Sequence, residues 1–188
     1  MPAPSTSPHQ DSHSKRERRK EARPGELLQA ALELFVEKGY AATRAEEVAT
    51  RAGVSKGTLF LYFSSKEDLF KAVIQSNLSR HLMAWNQEFE GFEGSSADML
   101  AYGLTSWWTQ IGSTLAGGIT KLVMSEARNF PEIASFYERE VVKPGQHLIE
   151  RILQRGIDRG EFRPMDVHHA CMSLVCAMMY LMMWKHAL

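Results

Sequence analysis

The chain has 188 residues, 44% of them apolar, so it can bury a sizeable core and wholesale disorder is excluded. Lys plus Arg and Asp plus Glu balance at 22 each, which argues against a protein that simply coats nucleic acid. The charge is unevenly placed, because residues 1–71 carry 12 basic and 10 acidic side chains and the remainder reverses that ratio.

The chain opens with Pro, Ser and His and lacks the apolar run of a signal peptide. Residues 1–23 are predicted to form a disordered basic tail. Its densest part, Lys15 to Arg23, has two readings: a solvated extension of the first helix, or an arm on phosphates or the minor groove. Pro24 suits a first helical position, and Leu28, Ala31, Leu32 and Phe35 follow helical spacing up to a stop at Gly39. Thr43 opens a second helix, with Thr43-x-x-Glu46 read as a capping box. Ala45, Val48, Ala49 and Ala52 make its inner stripe, and Gly53 ends it. Ser55 caps a short third helix over about Lys56 to Phe63.

Ser64 or Ser65 caps a fourth helix of about 25 residues, long enough to join two modules. Gly91, Gly94 and Ser95-Ser96 mark a loop, and a helix follows from Ala97 to Ser113. Gly117-Gly118 is read as a further break before a helix over Ile119 to Arg128. Pro131 to Val142 reads as helical, with Pro144 kinking or restarting the chain. Leu148, Ile149, Ile152, Leu153 and Ile157 form an apolar stripe that Gly160 closes. Asp166 caps the last helix, which carries an apolar run from Ala170 to Trp184. That run is shorter than the roughly 20 residues a bilayer span needs, so a buried helix in a soluble cytoplasmic protein, without a membrane partner, is expected. No strand alternation or internal repeat is visible. The fold class is therefore all-α, with about nine helices.

Function concentrates in residues 44–63. Two short helices joined by a tight glycine-containing turn make a helix-turn-helix. Ala49 is small enough for the helices to cross, Gly53 makes the turn, and Leu59 plugs the crossing from the second helix. The N-terminal residues of that helix, Ser55, Lys56, Gly57 and Thr58, would face base edges in the major groove. Thr43 and Arg44 would meet a phosphate at the start of the preceding helix, and Lys66 would add a flanking phosphate contact. Thr43 and Ser55 read equally well as helix caps.

The stretch LLQAALELFVEKGYAATRAEEVATRAGVSKGTLFLYFSSKEDLFKAVI resembles the DNA-binding domain of the TetR family. The resemblance covers residues 24–74 and implies a three-helix DNA-binding head. A long fourth helix would carry that head on a helical body over 75–188. In this family the body binds a small effector and dimerises through its last two long helices. The stretch EREVVKPGQHLIERILQRGIDRGEFRPMD resembles the corresponding part of many members. One departure concerns the pair after Leu59, where the family commonly places a tyrosine whose hydroxyl binds phosphate. Here the pair is Phe60-Leu61, which shifts that load to Tyr62 and Lys66.

Residues 83–137 are rich in Met and aromatics, which suits an adaptable apolar pocket or an ordinary helical core. The candidate effector residues are Phe89, Met99, Tyr102, Trp107, Trp108, Met124 and Tyr137. Trp107 and Trp108 stand about 100° apart on a helix and cannot both face one way. Thr109, Gln110, Thr120 and Arg128 are candidate polar partners. The dimer interface is expected on Leu148, Ile152, Leu153, Met178, Met179, Met182 and Met183.

His168 and Cys171 share a helix face, but no second cluster completes a metal site, so neither metal nor cofactor is expected. Cys171 and Cys176 point about 140° apart, which disfavours a disulfide. No catalytic arrangement supports an enzyme. The expectation is a homodimeric repressor on palindromic double-stranded operator DNA, released by a small hydrophobic or aromatic effector. A helical carrier protein is the alternative from another class.

Overall fold

A computed structural model describes residues 9–187, with side chains from Pro24 onward. The described residues fold as eight continuous helical rods without a strand. Helix α1 (His9–Lys38), α2 (Ala45–Arg51) and α3 (Lys56–Tyr62) form the head. Helix α4 (Lys66–Ile74) runs through a wide π-helical turn (Gln75–Ser79) into α5 (Arg80–Glu90), giving one rod over 66–90. The body adds α6 (Ser96–Trp107) with a π-turn (Trp108–Gly112), then α7 (Gly117–Glu126) and α8 (Pro131–Tyr137). A third π-turn (Glu138–Val142) joins α8 to α9 (Lys143–Asp158), and α10 (Val167–Ala187) closes the fold.

Three expectations change. Helix α1 begins at His9, so the tail expected to be disordered is helical from there, and residues 1–8 lie outside the described part. The sequence Lys15–Arg23 consists of good helix formers, and Pro24 lies inside the helix rather than at its first position. The rods number eight, not nine, because Pro144 does not separate α8 from α9. The π-turn ahead of it already widens the backbone, with the Lys143 N–H reaching back five residues to the Glu138 carbonyl. Gly117 and Gly118 open α7 instead of breaking the chain.

Their role is close approach. A Cβ at Gly118 would stand 2.7 Å from Val36 Cγ1 on α1, and one at Gly117 would stand 2.6 Å from His186 Nε2 on α10. The glycines therefore let α7 touch both the head and the last helix. Tyr40 strengthens the head-to-body joint, its ring packing edge-on to Phe130 at 4.6 Å and tilted to Phe70 at 5.1 Å. Lys71 of α4 lies over the Phe136 ring of α8. One core thus runs from Leu27 and Phe35 in the head through Phe70 of α4 to Ile119, Ile133 and Ile152 in the body.

Candidate DNA interface and effector cavity

The turn between α2 and α3 is built as the residue types require. Gly53 takes φ +67°, where a side chain is strained. Its neighbour Val54 donates its N–H to the Ala49 carbonyl at 2.9 Å. Ser55 caps α3, its Oγ accepting from the Thr58 N–H at 3.1 Å and lying 2.9 Å from Thr58 Oγ1. Leu59 and Ala49 are buried at the helix crossing. Lys56, Gly57 and Ser55 are exposed at the start of α3, and Thr58 is half-buried.

Two of the expected DNA contacts are turned inward. Thr43 is 1% exposed, and its hydroxyl is directed at the Gly39 carbonyl at 2.7 Å and the Leu34 carbonyl at 3.1 Å. It fastens the end of α1 and does not cap α2. The cap is Arg44, whose N–H donates to Glu47 Oε2 at 3.1 Å, one residue beyond the predicted capping box. Glu46 instead pairs with Lys56, which holds its carboxyl below the usual range. Lys66 is likewise not a free cation. Its ammonium donates to the carbonyls of Tyr40 at 2.9 Å, Thr43 at 3.1 Å and Ala41 at 3.3 Å. Arg44 and Tyr62 remain exposed. Phe60 and Leu61, the pair that departs from the family's phosphate-binding pattern, are on the surface, Leu61 at 84% exposure.

In the body, a cavity of about 400 Å³ lies between the α4–α5 rod, α6, α7, the α8–α9 rod and α10. All three π-turns contribute to its wall: Leu78 from the first, Ile111 from the second, and Glu138, Val141 and Val142 from the third. Of the seven predicted effector residues, Phe89, Trp107, Met124 and Tyr137 line it. Met99, Tyr102 and Trp108 do not. Met99 is buried beside a neighbouring groove, and Tyr102 faces outward, its hydroxyl donating to Glu88 Oε2 at 3.0 Å. Trp108 is absent from the wall, although its ring lies 6.0 Å from that of Trp107 and tilted to it by 44°.

The polar features of the wall are few. Thr120 Oγ1 and the Tyr137 hydroxyl lie 2.7 Å apart, and burial pushes the Tyr137 phenol up to about 12. Of the candidate polar partners, Thr120 lines the cavity and Thr109, Gln110 and Arg128 do not. Glu138 and Gln146 also reach the wall, and Glu138 pairs with Lys143 at 3.1 Å.

Of the residues expected at a dimer interface, all but Met183 are buried in their own chain or line its cavity. Leu148, Ile152, Leu153 and Met182 are buried, and Met178, Met179 and Met182 line the cavity with Leu148 and Ile152. Met183 is half-buried. The outward stripe of α10 is instead Ala177, Tyr180, Leu181 and Trp184, the last 59% exposed. An i, i+4, i+7 count from the buried Cys171 separates the two stripes. Helix α10, at 21 residues, is long and apolar enough to cross a membrane by length and composition alone. Among the described residues no three His, Cys, Asp or Glu side chains cluster as metal ligands, and His168 Nδ1 lies 3.1 Å from Glu150.

Comparison with known proteins places this geometry. The family described as bacterial regulatory proteins, tetR family, matches residues 27–73. A tetracyclin repressor-like C-terminal domain matches residues 93–187. The HTH-type transcriptional regulator YfiR of Bacillus subtilis is 31% identical over 78% of this chain and 71% of its own. Among solved structures, the fatty acid degradation regulator FadR from Bacillus halodurans superposes with a TM-score of 0.72. Its identity is 22%, over 86% of this chain and 83% of that one. FadR from Bacillus subtilis, in complex with stearoyl-CoA, gives a TM-score of 0.66 at 21% identity, covering 85% of each chain. These two likenesses concern the fold.

Proposed function

Because the chain belongs to the TetR family of bacterial regulatory proteins, a family of DNA-binding transcriptional regulators, we propose that it is a homodimeric repressor released by an apolar effector. The carrying observation is the cavity. It is almost wholly apolar, and it is walled in part by the rod that holds the DNA-binding head. Leu78 lies on the cavity wall and in the π-turn of that rod. A ligand pressing on Leu78 acts on the element whose direction sets the spacing of two heads. It shifts the equilibrium by as much as it prefers one direction over the other.

The chemistry of the wall selects the effector. Its bulk is Leu, Ile, Val, Met, Phe and Trp, and the buried Thr120–Tyr137 pair offers one hydroxyl anchor. A molecule with a long apolar body fits such a wall. A long-chain acyl thioester is the first probe, since the Bacillus subtilis neighbour holds stearoyl-CoA. The outward stripe of α10 is proposed to meet its equivalent in a second copy across a two-fold axis. That pairing covers Tyr180, Leu181 and Trp184 and presents two heads to a palindromic site in the cytoplasm.

The test is operator release. A site is first selected from a random duplex pool, and stearoyl-CoA is then titrated into the complex. Release, lost when Thr120→Trp fills the cavity, supports the proposal. An unchanged complex at saturating acyl-CoA and with free apolar compounds removes the effector claim and leaves a constitutive DNA binder.

A further inference from the structure

The DNA-facing ridge of α3 is apolar. With Leu59 as the inward direction, helical geometry puts Gly57 about 160° and Leu61 about 200° around the axis. Gly57 and Leu61 therefore form the line that stands furthest from the core. Gly57 has no side chain, and a Cβ there would meet nothing nearer than Ser55 Oγ at 3.8 Å. Leu61, 84% exposed, is thus the one side chain on that line. Phe60 and Tyr62 flank it at 39% and 38% exposure. Phe60 has no hydroxyl to give a phosphate, and Lys56 lies 5.8 Å from the centre of its ring.

Lys56 itself is tied to Glu46. The polar donors on this face are the Ser55 and Thr58 hydroxyls, which bond each other, the engaged Lys56, and the Tyr62 phenol at its flank; none lies on the outermost line itself. An aliphatic side chain on the outermost ridge of a major-groove helix has one favourable partner on base edges, the thymine 5-methyl group. Burying Leu61 against that methyl removes from water an apolar surface that the free protein leaves open.

We propose that Leu61 is a specificity-determining residue that reads thymine by its methyl group, one in each half-site. The proposal rests on the operator-binding reading above. Bases lacking the methyl at that position lose the contact, while phosphate contacts elsewhere continue to hold the duplex.

The experiment removes the methyl and nothing else. The selected operator is remade with deoxyuridine in place of each enriched thymidine in turn. Wild type is expected to lose about fourfold in affinity for each contacted methyl, and about 15-fold when both half-sites are changed. Leu61→Ala is expected to bind the thymidine and deoxyuridine duplexes alike, near wild type's affinity for the latter. Leu61→Met, which keeps an apolar reach, is expected to restore the discrimination. An equal loss in wild type and Leu61→Ala, or no loss at any thymine, overturns the proposal while leaving operator binding intact. A pool that yields no preferred site overturns both.

Discussion

Lys66 and Tyr40 hold each other twice: the ammonium donates to the Tyr40 carbonyl at 2.9 Å and lies 4.5 Å from the centre of the Tyr40 ring. The same ammonium reaches the Ala41 and Thr43 carbonyls, so one side chain closes the turn that leads into α2. The Tyr40 ring in turn packs on Phe130 of the body. Lys66 is therefore a fastener at the head-to-body joint.

Lys66→Met is expected to destabilise the fold by about 1–3 kcal/mol, because it leaves carbonyls without a donor. The melting temperature should fall by about 2–4 °C for each kcal/mol in a chain of this size. Operator affinity of the folded variant, measured well below its transition, should match wild type. A uniform loss of affinity with unchanged stability would return Lys66 to the phosphate-binding role that its sequence position suggested.

Glu46→Gln releases Lys56 from its ion pair and removes a negative charge from the DNA-facing side. Operator affinity should rise. The slope of log affinity against log salt should steepen by about one, as for one added phosphate contact. Lys56→Ala in the Glu46→Gln background should abolish that steepening. Competition titrations at several salt concentrations distinguish these outcomes from no effect.

Much of this fold is legible in the sequence, and the remainder follows a pattern. Gly39, Gly53 and Gly160 end helices with positive φ where the sequence placed them. Ser55, Ser65 and Asp166 cap the helices assigned to them. Those features depend on neighbours within one turn. Thr43 and Lys66 were misplaced because their partners are distant in sequence, Leu34 for one and Tyr40 for the other. The methionines of α10 were assigned to an interface because a helix apolar all round does not reveal which stripe its own chain covers. Phe89, Trp107, Met124 and Tyr137, with the candidate polar partner Thr120, line the cavity, whereas Leu78 joined the wall through packing of separate rods. The π-turns leave no mark in hydrophobic spacing.

Tyr137 supplies a pH test. Its phenol is raised to about 12 by burial, with the Thr120 hydrogen bond pulling it slightly down. The folded value lies above the unfolded value of about 10. Stability from the neutral phenol is thus fully present below about pH 10 and is lost as pH rises through about 12. Urea unfolding across that window should show a decline that Tyr137→Phe makes shallower by up to about 2–3 kcal/mol. Tyr40, also raised to about 12 by burial, should contribute to the same alkaline decline.

The outward stripe of α10 predicts the assembly. Trp184→Glu combined with Leu181→Glu should yield monomers in sedimentation velocity and weaken operator binding, without loss of helical content. Cys176, exposed in the single chain and adjacent to Ala177, provides a second readout. Its alkylation should be slow in the wild-type assembly and fast in the double variant. Cys171, buried with its thiol raised by burial, should stay slow in both.

Each π-turn around the cavity holds one residue more than an α-helical turn of the same height. Three such surpluses face one space: 75–79, 108–112 and 138–142. Deleting a single residue within a turn would let that turn close to ordinary helix, and because only the surplus residue is lost the flanking segments would keep their register. The wall would lose one side chain and its local widening while the rest of the rod stays in place. Single-codon deletions at these turns therefore form a short mutational route by which this scaffold could reshape its cavity.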